Sequence, residues 1–540
     1  MLIDRLRVVV LKPSKYTELG FVERFRRGFM PNSTVPYIRS MTPAFVGNTP
    51  VEVHSIDEYV HCDLDYLSLL RRERGGQTLL ALVGVQSHQF QRALDLAAFS
   101  KSNGCSVVIG GPHVMTCDTS MLHGRGVSFA QSEAELVWSE ILNDAVTGEL
   151  QPLYGQDRRW QQELKSPVLA PPNRTDLGRY IMPMLGVYPA RGCPFLCNFC
   201  SVTKIAGRKI RSQSIDTTMA SLRTAKAAGV RTIMFTSDNF NKYPEASELL
   251  KAMVDEQLGM KFFVQCDTQI ARQDQLVELL GKAGCFQMFV GAESFDRQTL
   301  LAAHKGQNRP ETYREIVRLC REHSIGSHFS NIIGFPQDTE QKIHEHLAIL
   351  RELDPSWASF YILCPIPGTE QYDDFLTQGL ITEKNLDRFD TTSLTWRHPS
   401  LSRDQLAKLL FESYRKFFSM RHSLDTARAH CFRNGRLQVA DTLGSLAMSL
   451  FVRYSVWQHT HPMSGGVARV HLDQVKEYMP LRKETFGFEL VPLPKSLPLP
   501  VAEKLLNKEL GPRITTSNTH LGSTSSSQSK QASIAANSNR

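Results

Sequence analysis

Apolar residues come in short bursts separated by amphipathic stretches over most of the chain. Such bursts fit strands buried on both faces, with helical turns between them. Strands are predicted over 7–11, 51–56, 78–85 and 105–109, and a helix over 90–102 with Ala93, Leu94, Leu96, Ala97 and Phe99 at helical spacing. A Pro-containing stretch over 151–180 breaks the rhythm and reads as a linker. The alternation then resumes, with strands expected at 185–188, 232–236, 261–266, 286–290, 328–333 and 358–363, and amphipathic helices such as 215–228 and 311–323 between them. Six successive strand–helix units suggest a partial barrel with its chemistry at the C-terminal strand ends. Beyond 390 the pattern is helical, over 402–418 and then 423–451. The reading divides the chain into 1–150, a linker 151–180, a barrel unit 181–395, a helical region 396–488, and a Pro-rich connector and tail 489–540. The Ser-, Asn-, Thr- and Gln-rich stretch from 513 onward has too little apolar surface to offset the entropy of ordering and is expected to be disordered.

Composition narrows the class. The 540 residues hold 62 Lys and Arg against 54 Asp and Glu, net +8, with 41% hydrophobic residues. That is a globular mix, and its basic residues form no long run of the kind a dedicated nucleic-acid binder carries. No apolar run approaches the roughly 18 residues of a spanning helix. The N-terminus lacks the order of a secretory signal, so a cytoplasmic protein is expected. Eleven cysteines, an odd and scattered set, do not make a disulfide framework.

Three of those cysteines stand within eight residues, Cys193, Cys197 and Cys200. C-x3-C-x2-C on a loop after a strand lets three thiolates converge, and thiolates select zinc or iron–sulfur clusters. A structural zinc site normally takes four protein ligands, often as paired knuckles, and no second cysteine pair exists. A zinc site completed by an isolated Cys or His therefore stands beside a four-iron cluster with one iron left open.

The stretch from Cys193 to Cys200, with Phe199 before the last cysteine, resembles the signature of radical S-adenosylmethionine (radical SAM) enzymes. The resemblance implies a [4Fe-4S] cluster held by the three cysteines, S-adenosylmethionine chelated to the open iron, and radical chemistry started by one electron. It extends along the chain in order. Ser237, Asp238 and Asn239 fall where the family meets the amino group of S-adenosylmethionine. Glu293 resembles the carboxylate that holds its ribose or amino group, Gly334 lies in the family's glycine–proline turn, and Pro365 to Thr369 resemble the segment after the sixth strand.

The first 150 residues resemble the flavodoxin-like (Rossmann-like) cobalamin-binding domain that precedes many radical SAM domains. The matching pieces include Ser87-His88 and Gly110-Gly111-Pro112-His113, implied here as cobalamin contacts. The Asp-x-His-x-x-Gly motif that supplies a cobalt ligand elsewhere is absent, which leaves His88 and His113 as candidates or the lower axial position unfilled. Arg208 and Arg211 resemble the post-cysteine segment of the cobalamin-dependent subgroup and could meet an anion. The resemblance implies an α/β enzyme that methylates an unactivated carbon of a small-molecule or natural-product substrate, supplied with electrons by a flavodoxin or ferredoxin. Cyclisation or rearrangement without methyl transfer, and a non-catalytic cobalamin-binding protein with structural zinc, are the competing expectations.

Overall fold

The computed structural model describes residues 3–171, 174–433, 436–437, 439–463, 465–501, 503–504 and 508; the predicted disorder from 513 onward lies outside them. Two parallel sheets organise these residues. The first comprises β1 (Leu6–Lys12), β2 (Thr49–Asp57), β3 (Gln77–Leu82), β4 (Ser106–Gly110), β5 (Ser128–Ala130) and β6 (Leu153–Tyr154), in the order β2-β1-β3-β4-β5-β6, with a short antiparallel strand outside β2. From β2 to β5 this is the doubly wound order whose reversal opens a crevice at the C-terminal strand ends. Val8, Val9 and Val10 in central β1 are fully buried, as a strand covered on both faces requires. The sheet continues into the segment expected to link, since β6 pairs in parallel with β5.

The second sheet comprises β7 (Leu185–Val187), β8 (Thr232–Phe235), β9 (Lys261–Cys266), β10 (Cys285–Glu293), β11 (Gly326–Ile333) and β12 (Trp357–Ile362). Its strands lie side by side in chain order and match the six expected from the sequence to within a few residues. Residues from β8 to β12 line one face of an interior cavity of about 570 Å³, and the Val439–Trp457 helix walls the other face with Gly444, Ser445, Met448 and Val452.

The helical region departs from expectation in one place. Instead of one helix over 423–451 there are two, Met420–Cys431 and Val439–Trp457, with Phe432–Arg433 pairing antiparallel to Arg436–Leu437 between them. The Pro-rich stretch after 489 is a packed strap: Val491 is buried, Leu497 N–H donates to Thr116 O at 2.8 Å, and Tyr372 Oη donates to Pro494 O at 2.9 Å.

Two segments far apart in the chain meet. Arg24–Gly28 pairs antiparallel with Gly466–Val470. Beneath that ribbon Arg24 and Arg92 share the carboxylates of Glu58 and Asp473, all four side chains buried. Burial pushes the Glu58 carboxyl up, but the guanidiniums of Arg92 and Arg24 outweigh it and hold it down at about 2. Elsewhere Lys12, under Gly84, is brought down to about 8 by burial, which the neighbouring Asp57 only partly offsets.

Candidate functional site

After β7 the chain forms a two-residue strand, Ala190–Arg191, antiparallel to Arg211–Ser212, which closes a loop holding the three cysteines. The loop is pinned along its length. Gly192 has φ +109°, and a Cβ there would fall 2.4 Å from Lys209 O, so only glycine fits. Gly192 N–H donates to Asp238 Oδ2 at 2.8 Å, Cys193 N–H to Gly207 O at 3.1 Å, and Asn198 N–H to Ala303 O at 3.2 Å.

The three cysteines carry free thiols. Burial pushes Cys193 up to about 11 and Cys200 up to about 12, and it raises Cys197 as well; for Cys193 and Cys200 the other cysteines of the loop add to the effect. Thiols in this environment give up their protons to a metal rather than to water. Two side-chain amides already face the sulfurs, Asn239 Nδ2 at 3.9 Å from Cys193 Sγ and Gln307 Nε2 at 3.5 Å from Cys197 Sγ. Donors aimed at sulfur tune an iron–sulfur centre. Among the described residues no three His, Cys, Asp or Glu side chains converge on one ion-sized position.

Behind the loop stand the strand-end residues. Ser237 is buried with its hydroxyl oxygen unpartnered. Asp238 accepts from the loop, and burial raises its pKa. Asn239 donates to Asp267 Oδ2 at 2.8 Å, and its Oδ1 accepts from Asp267 N–H at 3.1 Å, which fixes the amide that meets Cys193. Glu293 sits at a bulge in β10 with φ +66°, held by Lys305 Nζ at 2.7 Å and Ser330 Oγ at 3.0 Å. Burial opposes the Lys305 charge, but the Glu293 carboxylate and the Cys197 sulfur more than offset that and keep the lysine protonated. Its ammonium also lies 5.8 Å from the ring centroid of Phe199, which meets Phe335 edge-on at 6.4 Å. Gly334, with φ +82°, and Phe335 both donate backbone N–H groups to Asp338 Oδ2, at 2.8 and 3.0 Å, so Gly334 is the pivot of a closed turn. Burial pushes that aspartate up to about 6.

Sequence reasoning missed Lys305, Gln307 and Asp267. The only signal for the first two is the polar run His304-Lys305-Gly306-Gln307-Asn308 after an apolar helix, which reads as an ordinary loop until β10 folds beside it.

A second cavity, about 240 Å³, lies where the two sheets meet by their C-terminal strand ends. Gly84, Gly110, Gly111 and Pro112 line it from the first sheet, and Tyr188, Arg191 and Asp238 from the second. Ser87, His88 and His113 do not line it. His113 is buried against Phe90, ring centroids 3.9 Å apart, with Nδ1 at 3.0 Å from Ser87 Oγ, and burial pushes its pKa down to about 3. His88 is likewise brought down to about 3 by burial and the nearby Lys15 ammonium. Gly111 answers a steric demand, because a Cβ there would lie 2.2 Å from Val85 N.

The wall of this cavity carries a buried ion network. Glu133 receives Arg191 Nη1 at 3.1 Å and two bonds from Arg211, both at 2.8 Å, and Arg191 also pairs with Glu135 at 2.9 Å. The guanidinium of Arg191 lies 5.1 Å from the ring centroids of both Tyr37 and Tyr188. Arg211 is thus occupied within the protein, not presented to a ligand anion as expected, because Glu133 lies in reach across the junction. Arg208 is buried.

Met and Phe side chains are the most frequent in the lining of the interior cavity. Its polar features include a chain in which Gln287 Nε2 lies 2.7 Å from His328 Nδ1 and His328 Nε2 lies 2.6 Å from Ser359 Oγ.

Residues 187–350 match the family model of the radical SAM superfamily. Over 325 residues the chain is 24% identical to bacteriochlorophyllide d C-12(1)-methyltransferase of Chlorobaculum tepidum, covering 59% of this chain and 70% of that protein. It is 25% identical over 388 residues to the C-8(2)-methyltransferase of the same organism, covering 67% and 80%. Among solved structures it shares its fold with the radical S-adenosylmethionine methyltransferase TsrM from Kitasatospora setae, determined with cobalamin and a [4Fe-4S] cluster bound. That match has a TM-score of 0.55 at 15% identity and covers 70% of this chain and 75% of that one.

Proposed function

We infer that this chain, which carries a radical SAM domain over residues 187–350, is a cobalamin-dependent radical SAM enzyme that methylates an unactivated carbon. The observation that carries the reading is the set of three half-buried thiols, two of them already facing amide donors, at the C-terminal ends of a parallel sheet whose strands follow chain order. Cys193, Cys197 and Cys200 would hold the cluster. Ser237, with its unpartnered buried hydroxyl, and Glu293, presented at a bulge, would meet S-adenosylmethionine. The junction cavity would take cobalamin against Gly110, Gly111 and Pro112. When bound, these groups supply the radical and the methyl group; the protein supplies position and a dry, ordered surround.

The residues present do three things. Asn239 and Gln307 hold N–H donors toward sulfur. Lys305 neutralises Glu293 and orients it through a buried contact. The interior cavity holds a largely apolar substrate, and the Gln287–His328–Ser359 chain offers it a polar anchor. We place the enzyme in the cytoplasm, where thiols stay reduced, with a flavodoxin or ferredoxin as electron donor.

The test is anaerobic reconstitution with iron, sulfide and cobalamin, followed by assay with methyl-labelled S-adenosylmethionine. About four irons per chain, lost in Cys193→Ala, and label appearing in a product extracted from cell lipid or pigment fractions are expected. Zinc in place of iron, or radical turnover with no label transferred, would overturn the reading.

A further inference from the structure

The Val439–Trp457 helix carries only two charged side chains in nineteen residues, Asp441 and Arg453. A surface helix ordinarily sets one apolar stripe against the core and charged residues opposite. Here the arc holding Gly444, Ser445, Met448 and Val452 lines the interior cavity. The other arc is apolar too: Leu443, Leu450, Tyr454 and Trp457 face solvent, from 36% to 74% exposed. On the adjoining Met420–Cys431 helix, Met420 and Leu424 lie one turn apart, 54% and 45% exposed. Arg421 and Arg428 of that helix are exposed as well, and both pair weakly with the same Asp425. From 420 to 457 the sequence holds five arginines against two aspartates.

We propose that this helix pair docks on an anionic membrane surface, with Leu443, Leu450 and Trp457 at the acyl boundary and the exposed Arg421, Arg428 and Arg453 among the lipid phosphates. Exposed apolar side chains beside exposed arginines of the neighbouring helix, with Tyr and Trp at one end of the arc, suit the anionic membrane interface. No helix among the described residues is long and apolar enough to cross a membrane, so the attachment is lateral. A second copy of the chain is the weaker occupant, because a two-fold contact would set the same positive surface against itself. The same helix thus stands between this surface and the interior cavity, one arc on each. The docking stands on this geometry alone and would hold whichever reaction the enzyme performs.

The test is co-sedimentation of the full-length chain, without added cofactors, with vesicles of phosphatidylcholine and of phosphatidylcholine mixed with phosphatidylglycerol. Binding to the mixed vesicles about tenfold or more tighter than to neutral ones is expected, weakening as salt is raised. The double variant Leu450→Glu, Trp457→Glu should lose binding to both while keeping the wild-type circular dichroism spectrum. Should that variant fail to fold, Arg421→Gln with Arg428→Gln, which leaves the apolar arc untouched, should lower binding to the anionic vesicles alone. Absence of binding to the mixed vesicles overturns the proposal. So does binding unchanged in the variants, and so does a dimer in solution that Leu450→Glu, Trp457→Glu converts to monomer.

Discussion

His328 shows how one side chain can be legible as a residue and opaque as a role. It stands in the middle of β11, where the sequence predicts a buried strand, and burial pushes its pKa down to about 3. The neutral ring bridges Gln287 and Ser359 across three strands. The consequence for stability follows from linkage. Below the ordinary histidine pKa, near 6.5, the unfolded chain takes up a proton that the folded ring refuses, so the unfolded state gains as pH falls from about 6.5 toward 3. His328→Gln removes this one contribution. Its melting temperature should therefore fall less than that of the wild type between pH 7 and pH 5, as followed by circular dichroism; an equal fall in both would show that the ring is not held neutral.

The arrangement of the elements was largely legible before the structure, because fully buried parallel strands write themselves as short apolar runs. All six strands of the second sheet were visible in this way, and so was the cysteine loop, whose spacing is local. What lay beyond the sequence was contact across distance. Nothing near Arg211 announces that Glu133, on an element of the first sheet, will claim it, and Lys305 lies twelve residues from the carboxylate it serves. The hairpin between the two C-terminal helices was missed for a different reason: helical periodicity on both sides outweighed a two-residue turn signal. The junction elements yield a prediction of their own. Glu133→Ala leaves the buried Arg211 without its carboxylate, and the half-buried Arg191 with Glu135 alone, at a cost of about 3–5 kcal/mol. Because Arg191 adjoins Gly192 and Cys193, the variant should also take up less iron on reconstitution. Urea unfolding and iron analysis check the two effects, and full stability would mean that the network contributes little.

At the scale of the molecule, the two sheets meet at the junction cavity, and the unit of the first sheet is also joined to the C-terminal segment through the antiparallel ribbon. Asp473 is the far member of that second joint, sharing Arg24 and Arg92 with Glu58. Asp473→Ala leaves two buried guanidiniums for one carboxylate and should cost about 3–5 kcal/mol. Loss should begin at the ribbon, so limited proteolysis should cut between 460 and 480 in the variant at protease levels that leave the wild type intact. Cleavage confined to the extreme C-terminus in both proteins would show that the joint holds without the aspartate.

That joint also fixes an order of events during synthesis. Arg24 waits for a partner 449 residues downstream; at the roughly 5–20 residues per second of a ribosome, the interval is about twenty seconds to a minute and a half. Until the last helices emerge, the nascent N-terminal half carries two guanidiniums with a single counter-charge and an unclosed edge. It completes this contact only once Asp473 has left the exit tunnel.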